Sequence, residues 1–134
     1  MKYILLVSAL ILTSSLKAQK RKFRAYETCS VILNDQNAKC NFEKSNILIL
    51  IYEYKMIVYT EEIIELKLVT NATESFDEQN RKVVSWTAED QNKNYPQLKF
   101  VTYNNPNGGS SSNMILIYTN KKITFKLGPA NEDD

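Results

Sequence analysis

Cys29 and Cys40 are the only cysteines in the chain, and it contains no histidine. The missing histidine excludes more chemistry than the cysteines supply. Without an imidazole there is no Ser-His or Cys-His nucleophile pair and no HExxH zinc site. Nor is there an acid–base group whose ordinary pKa lies near neutrality. The two cysteines are not spaced as the C-x-x-C of a redox pair, so a structural disulfide is expected between them.

Carboxylates are the remaining acid–base candidates. Glu61-Glu62 and Glu89-Asp90 are adjacent pairs that a glycosidase could use, but neighbours on a strand point to opposite faces. Glu74, Asp77 and Glu78 could offer oxygens to Ca²⁺. They lack the D-x-[DN]-x-[DN]-G order and read as a plain acidic loop. Gly108-Gly109 has no Lys-Ser/Thr or G-x-G-x-x-G around it, so a phosphate cradle is not expected. Asn71-Ala72-Thr73 is an N-glycosylation sequon, meaningful only on a eukaryotic secretory route. No metal and no cofactor is expected.

The N-terminal segment has the order of a secretory signal peptide. A basic start, Met1-Lys2, precedes the apolar run Tyr3 to Leu12, and Thr13 to Ala18 turns polar and ends on a small residue. The run is too short to cross a bilayer, which takes roughly 20 apolar residues. Cleavage after Ala18 is expected, giving residues 1–18 as leader and 19–134 as a single domain that is periplasmic or secreted. Loss of Lys2 and Lys17 leaves 15 basic residues against 15 acidic ones, so nothing in the global charge calls for nucleic acid. Lys20-Arg21-Lys22-Phe23-Arg24 reads as a solvated arm before the first strand, although it could meet an anionic surface. Glu132-Asp133-Asp134 reads as a solvated tail.

Short alternating segments make up the rest. Ile47 to Tyr52 and Met56 to Tyr59 flank a charged turn; Ile64, Leu66 and Leu68 alternate with Glu65 and Lys67. Val84, Trp86 and Ala88 alternate with Ser85 and Thr87, and Leu98 to Tyr103 gives another strand. Asn71 to Arg81 reads as a loop, as does Asn104 to Asn113. A hairpin turning at Asn34-Asp35 would pair Cys29 with Cys40 and place Val31, Leu33, Ala38 and Phe42 on the same apolar face. A closing hairpin turning at Asn120-Lys121 would pair Tyr118 with Ile123, Leu116 with Phe125 and Met114 with Leu127, all facing inward.

About nine short strands with hairpin-sized connections and no amphipathic helix predict an all-β antiparallel meander. It is expected to form a small closed or partly open β-barrel, with a two-sheet β-sandwich as the alternative. The same alternation sends Ile115 and Ile117 outward. With Val101 and Tyr103 they form the candidate protein-interaction surface, provided they are bare. Tyr52, Tyr54, Tyr59, Tyr103, Tyr118 and Trp86 read as packing aromatics that could also line a ligand surface. The function expected is a non-enzymatic binding or protein-interaction module taking a protein, a glycan or a small apolar ligand. The alternative is a carboxylate-dependent hydrolase acting on envelope or extracellular glycans.

Overall fold

The structure is a computed structural model describing residues 19–34, 36–106 and 108–129. The expected leader, the acidic tail and the turn residue Asp35 lie outside the described residues. Nine strands follow one another: β1 (Gln19–Ile32), β2 (Glu43–Tyr52), β3 (Lys55–Tyr59), β4 (Ile63–Leu68), β5 (Thr73–Phe76), β6 (Lys82–Asp90), β7 (Gln97–Asn104), β8 (Ser110–Ile117) and β9 (Lys121–Pro129). All pairings are antiparallel, in the order β4-β3-β2-β1-β9-β8-β7-β6, and β4 also pairs with β6. That last pairing, Leu66 with Asp90 and Leu68 with Ala88, closes an eight-stranded barrel. It decides against the sandwich. β5 is the extra strand, laid along the lower half of β6.

Period-two alternation explains which side chains fill the barrel. Ala25, Ile49, Met56, Val58, Leu66, Ala88, Leu98, Met114, Leu116 and Phe125 form one buried cluster. Eight strands leave an interior just wide enough for side chains to fill, and this cluster occupies the middle of the barrel. The connections 33–42, 60–62, 91–96 and 118–120 gather at one end, called the upper end here. The connections 53–54, 77–81 and 105–109 gather at the lower end.

Two expected registers are corrected. β1 and β2 do not meet in a tight hairpin: Phe23 pairs with Ile49 and Ala25 with Ile47, while residues 33–42 form a long connection. A turn at Asn34-Asp35, extended down the strands, would set Phe23 opposite Asn46 and Ala25 opposite Lys44. Burial of the longer apolar strand outweighs the short local pattern. A bulge at Tyr26 then shifts the faces. Cys29 therefore points outward, opposite Thr124, and Leu33 is exposed. The disulfide between Cys29 and Cys40 is present, with Cα atoms 5.5 Å apart, but it fastens the long connection to the outer wall.

In the closing hairpin the Tyr118 N–H donates to the Lys121 carbonyl at 2.8 Å, which makes Thr119-Asn120 the turn. Met114 then faces Phe125 and Leu116 faces Ile123, two residues from the expected pairing. A two-residue slip preserves every face, so the inward set stands. Lys121 is drawn into β9 because it pairs with Ile32 of β1, and the Leu33 N–H bonds to the Asn120 carbonyl at 2.9 Å.

Two segments read as irregular are strands. The basic residues at the start of the domain belong to β1 and pair with β2, so they are no free arm. The stretch Asn71 to Arg81 contains β5. β8 also starts at Ser110, shortening the expected loop after Asn104.

Candidate functional site

One turn recurs three times and shapes both ends of the barrel. In residues 77–81, 90–94 and 105–109 the first residue's N–H bonds to the fifth residue's carbonyl, at 3.0, 2.9 and 3.1 Å. The fourth residue's N–H returns to the first residue's carbonyl. The fourth position is left-handed each time: φ is 61° at Asn80, 66° at Lys93 and 88° at Gly108. Such a turn asks for Asp or Asn first, and for a residue tolerant of positive φ fourth. Asp77, Asp90 and Asn105 occupy the first position.

Asp90 does more than cap its turn. It is the last residue of β6, on the inward face shared with Trp86 and Ala88, and it is only 7% exposed. Its Oδ1 accepts hydrogen bonds from the amides of Asn92 (2.9 Å) and Asn94 (2.8 Å), and Oδ2 accepts one from Asn94 Nδ2. Tyr118 stands beside the same carboxylate on the wall of the mouth. Burial works to raise the Asp90 pKa, and these donors together outweigh it, so the value lies below the ordinary carboxylate range. Burial first, and then the Asp90 charge, push the Tyr118 hydroxyl up to about 12.

Asp90 and Tyr118 sit on the wall of an open cavity of about 780 Å³ at the upper mouth. Its floor is apolar, made by Ile47, Ile64, Ile123 and Phe125 above the packed core. Thr28 adds a hydroxyl, and the rim carries Glu62, Gln91, Asn94, Tyr95 and Lys121. The rim is fastened in place. Gln91 Nε2 donates to the Ile63 carbonyl at 2.7 Å, and its Oε1 accepts from the Glu65 amide at 3.0 Å, stapling the β6–β7 turn to β4. Lys121 Nζ lies 5.2 Å from the centre of the Tyr118 ring.

The other candidates fall elsewhere. One member of each carboxylate pair, Glu62 and Asp90, lines the mouth, while Glu89 faces out and accepts from the Tyr95 hydroxyl at 2.7 Å. That bond raises the Tyr95 pKa. Glu74 pairs with Lys82 at 3.2 Å, and Asp77 caps its turn and holds Arg81 Nε at 2.6 Å. Among the described residues no three such side chains are grouped to hold a metal. The left-handed Gly108 and Gly109 serve the β7–β8 turn.

Val101, Tyr103, Ile115 and Ile117 all lie on the outward side of β7 and β8. Val101 is only 8% exposed and the other three are half-buried, flanked by Lys99 and Lys122 across the strands. They are not bare. Of the six aromatics singled out, Trp86 and Tyr118 face inward, and Trp86 meets Phe100 edge-on at 5.7 Å. The pairing of Asp90 with Tyr118 was missed although each residue stood out alone. The polar run from Asp90 to Asn94, with Asp first, would have placed Asp90 at the end of β6.

No helix among the described residues is long and apolar enough to cross a membrane. Comparison with protein-family models, curated proteins and solved structures gives no match.

Proposed function

We propose that this domain is an exported, non-enzymatic binding module that takes a small amphipathic molecule into its upper mouth. The observation that carries the reading is the open cavity whose apolar floor and fixed polar pair lie on rigid strand ends. Ligand sites are commonly concave, mostly apolar and equipped with a few well-placed polar groups, and barrel mouths are a frequent location. Export rests on the order of the N-terminal segment and agrees with the disulfide, which persists in oxidising compartments. A glycan hydrolase would need a carboxylic acid with a raised pKa beside a second carboxylate. Asp90, the buried carboxyl of the mouth, is shifted the opposite way.

The test is an NMR titration of the ¹⁵N-labelled domain with hexan-1-ol. Saturable shifts concentrated at Ile64, Asp90, Tyr118 and Ile123 are expected. Shifts confined to the lower end or scattered over the outer wall would overturn the reading. Export is tested by the intact mass of protein recovered outside the cytoplasm, expected to begin at Gln19; retention of residues 1–18 would contradict it.

A further inference from the structure

At the lower end the sheet stands open. β4 closes the barrel against the upper half of β6, but the lower half of β6 pairs with β5, which pairs with no other strand among the described residues. Phe76 at the end of β5 stands opposite Lys82, and Lys82 opposite Thr102, so the three side chains share one face. They line a second cavity of about 490 Å³, within the range of small-molecule sites.

This cavity is cationic. Arg81 and Lys82 line it, whereas their carboxylate partners Asp77 and Glu74 stand outside it. Asp77 anchors the guanidinium without consuming it. Its Oδ2 accepts from Arg81 Nε at 2.6 Å, and its Oδ1 is taken by the amides of Gln79 (3.0 Å) and Arg81 (2.8 Å). The Arg81 side chain is thereby fixed at Nε, while its Nη groups keep donors for a guest. Lys82 meets Glu74 in the open, where an ion pair holds weakly.

The rest of the lining adds neutral polar groups and a bare ring. Asn80, held left-handed by its turn at a φ of 61°, and Asn104 contribute side-chain amides that no other described residue engages. Each amide offers donors and an acceptor in one plane, the combination that vicinal hydroxyls of a sugar require. Phe76 is 67% exposed, so its ring does no packing duty in the core. A ring left open beside cations and amides suits a guest with one apolar face.

We propose that the lower cavity binds an acidic saccharide unit, a uronate, whose carboxylate meets Arg81, whose hydroxyls meet Asn80 and Asn104, and whose C–H face lies on Phe76. A plain anion would use the arginine and leave the ring and the amides idle. The site lies at the opposite end of the barrel from the upper mouth, so either reading can fail without the other.

Methyl β-D-glucuronide, methyl β-D-glucoside and sulfate separate the parts of the claim. Each is titrated at constant ionic strength into the ¹⁵N-labelled domain. Saturable shifts at Phe76, Arg81, Thr102 and Tyr103 are expected for the glucuronide, which should bind about ten-fold or more tightly than the glucoside, the worth of one charge-assisted hydrogen bond. Arg81→Gln is expected to bring the two sugars within about two-fold. Phe76→Ala is expected to weaken the glucuronide about five-fold and to leave sulfate unchanged. Equal binding of the two sugars would overturn the role of the carboxylate. Sulfate as tight as the glucuronide, or a glucuronide indifferent to Phe76→Ala, would overturn saccharide recognition. Shifts around Ile64 and Asp90 instead would overturn the placement. The Phe76→Ala comparison, at an exposed side chain, stands even if Arg81→Gln disturbs its turn.

Discussion

Asp90 and Tyr118 stand on one wall of the upper mouth, across the upper end of β7 from each other. Burial of the Tyr118 hydroxyl, and then the Asp90 charge, tie stability to alkaline pH. In the unfolded chain Tyr118 ionises near 10.0, whereas in the folded domain it holds its proton to about 12. Between those values the unfolded state binds fewer protons, so stability falls as pH rises through the window. Tyr118→Phe removes that component. Denaturant midpoints from pH 9 to 12 are expected to fall more steeply for the wild type than for the variant.

Asp90 gives the complementary acid dependence. Its folded pKa lies below the ordinary value of 3.8, so its stabilising contribution is complete above that value and disappears as pH falls through the folded one. Asp90→Asn leaves buried amide donors less well matched and is expected to cost about 1–3 kcal/mol at neutral pH. The variant should also lose less stability on acidification. Urea melts at pH 7 and pH 3 measure both effects.

The disulfide fastens residues 33–42 to the outer wall, and the barrel closes without it. Phe42 is held there as well, with Lys126 Nζ 4.0 Å from the centre of its ring. Reduction is expected to cost about 3 kcal/mol by the chain-entropy account. Hydrogen exchange after reduction should show lost protection confined mainly to the 33–42 connection and the upper end of β1. Collapse of protection across β7 and β8 would contradict the placement of the bond on the outside.

Phe125 is 1% exposed at the top of the buried core, beneath the mouth, and Lys126 next to it faces out. Phe125→Ala is expected to cost about 3–5 kcal/mol through lost burial and the cavity left behind. Lys126 pairs with Glu27 at 3.1 Å and covers Phe42, so its truncation should cost about 1 kcal/mol, more than a bare surface lysine. Equal losses in the two variants would mean that the register of β9 is wrong.

Faces were legible in this sequence where registers were not. Met114, Leu116, Ile123 and Phe125 alternate cleanly enough to assign the inward side of β8 and β9. A slip by two residues changes no face, though, so apolar pattern alone could not choose Thr119-Asn120 over Asn120-Lys121 as the turn. The choice came from Lys121 pairing with Ile32, a contact distant in sequence. Cys29 and Cys40 misled for a related reason. The apolar residues around them fit a local hairpin, while Phe23 and Ala25 required Ile49 and Ile47 opposite.

β5 was hidden because Thr73–Phe76 is short and wholly exposed, so no burial pattern marks it. The mouth was hidden in another way. Asp90 reads as half of an exposed carboxylate pair and Tyr118 as a core aromatic, and only the pairing of β6 and β8 on either side of β7 brings them to one wall.

The most direct test places the guest itself. Isotope-filtered NOEs between hexan-1-ol and the labelled domain are expected to connect its chain with the methyl groups of Ile47, Ile64 and Ile123. Contacts instead with Phe76 and Tyr103 at the lower end, or with the outer wall alone, would contradict a binding site in the upper mouth.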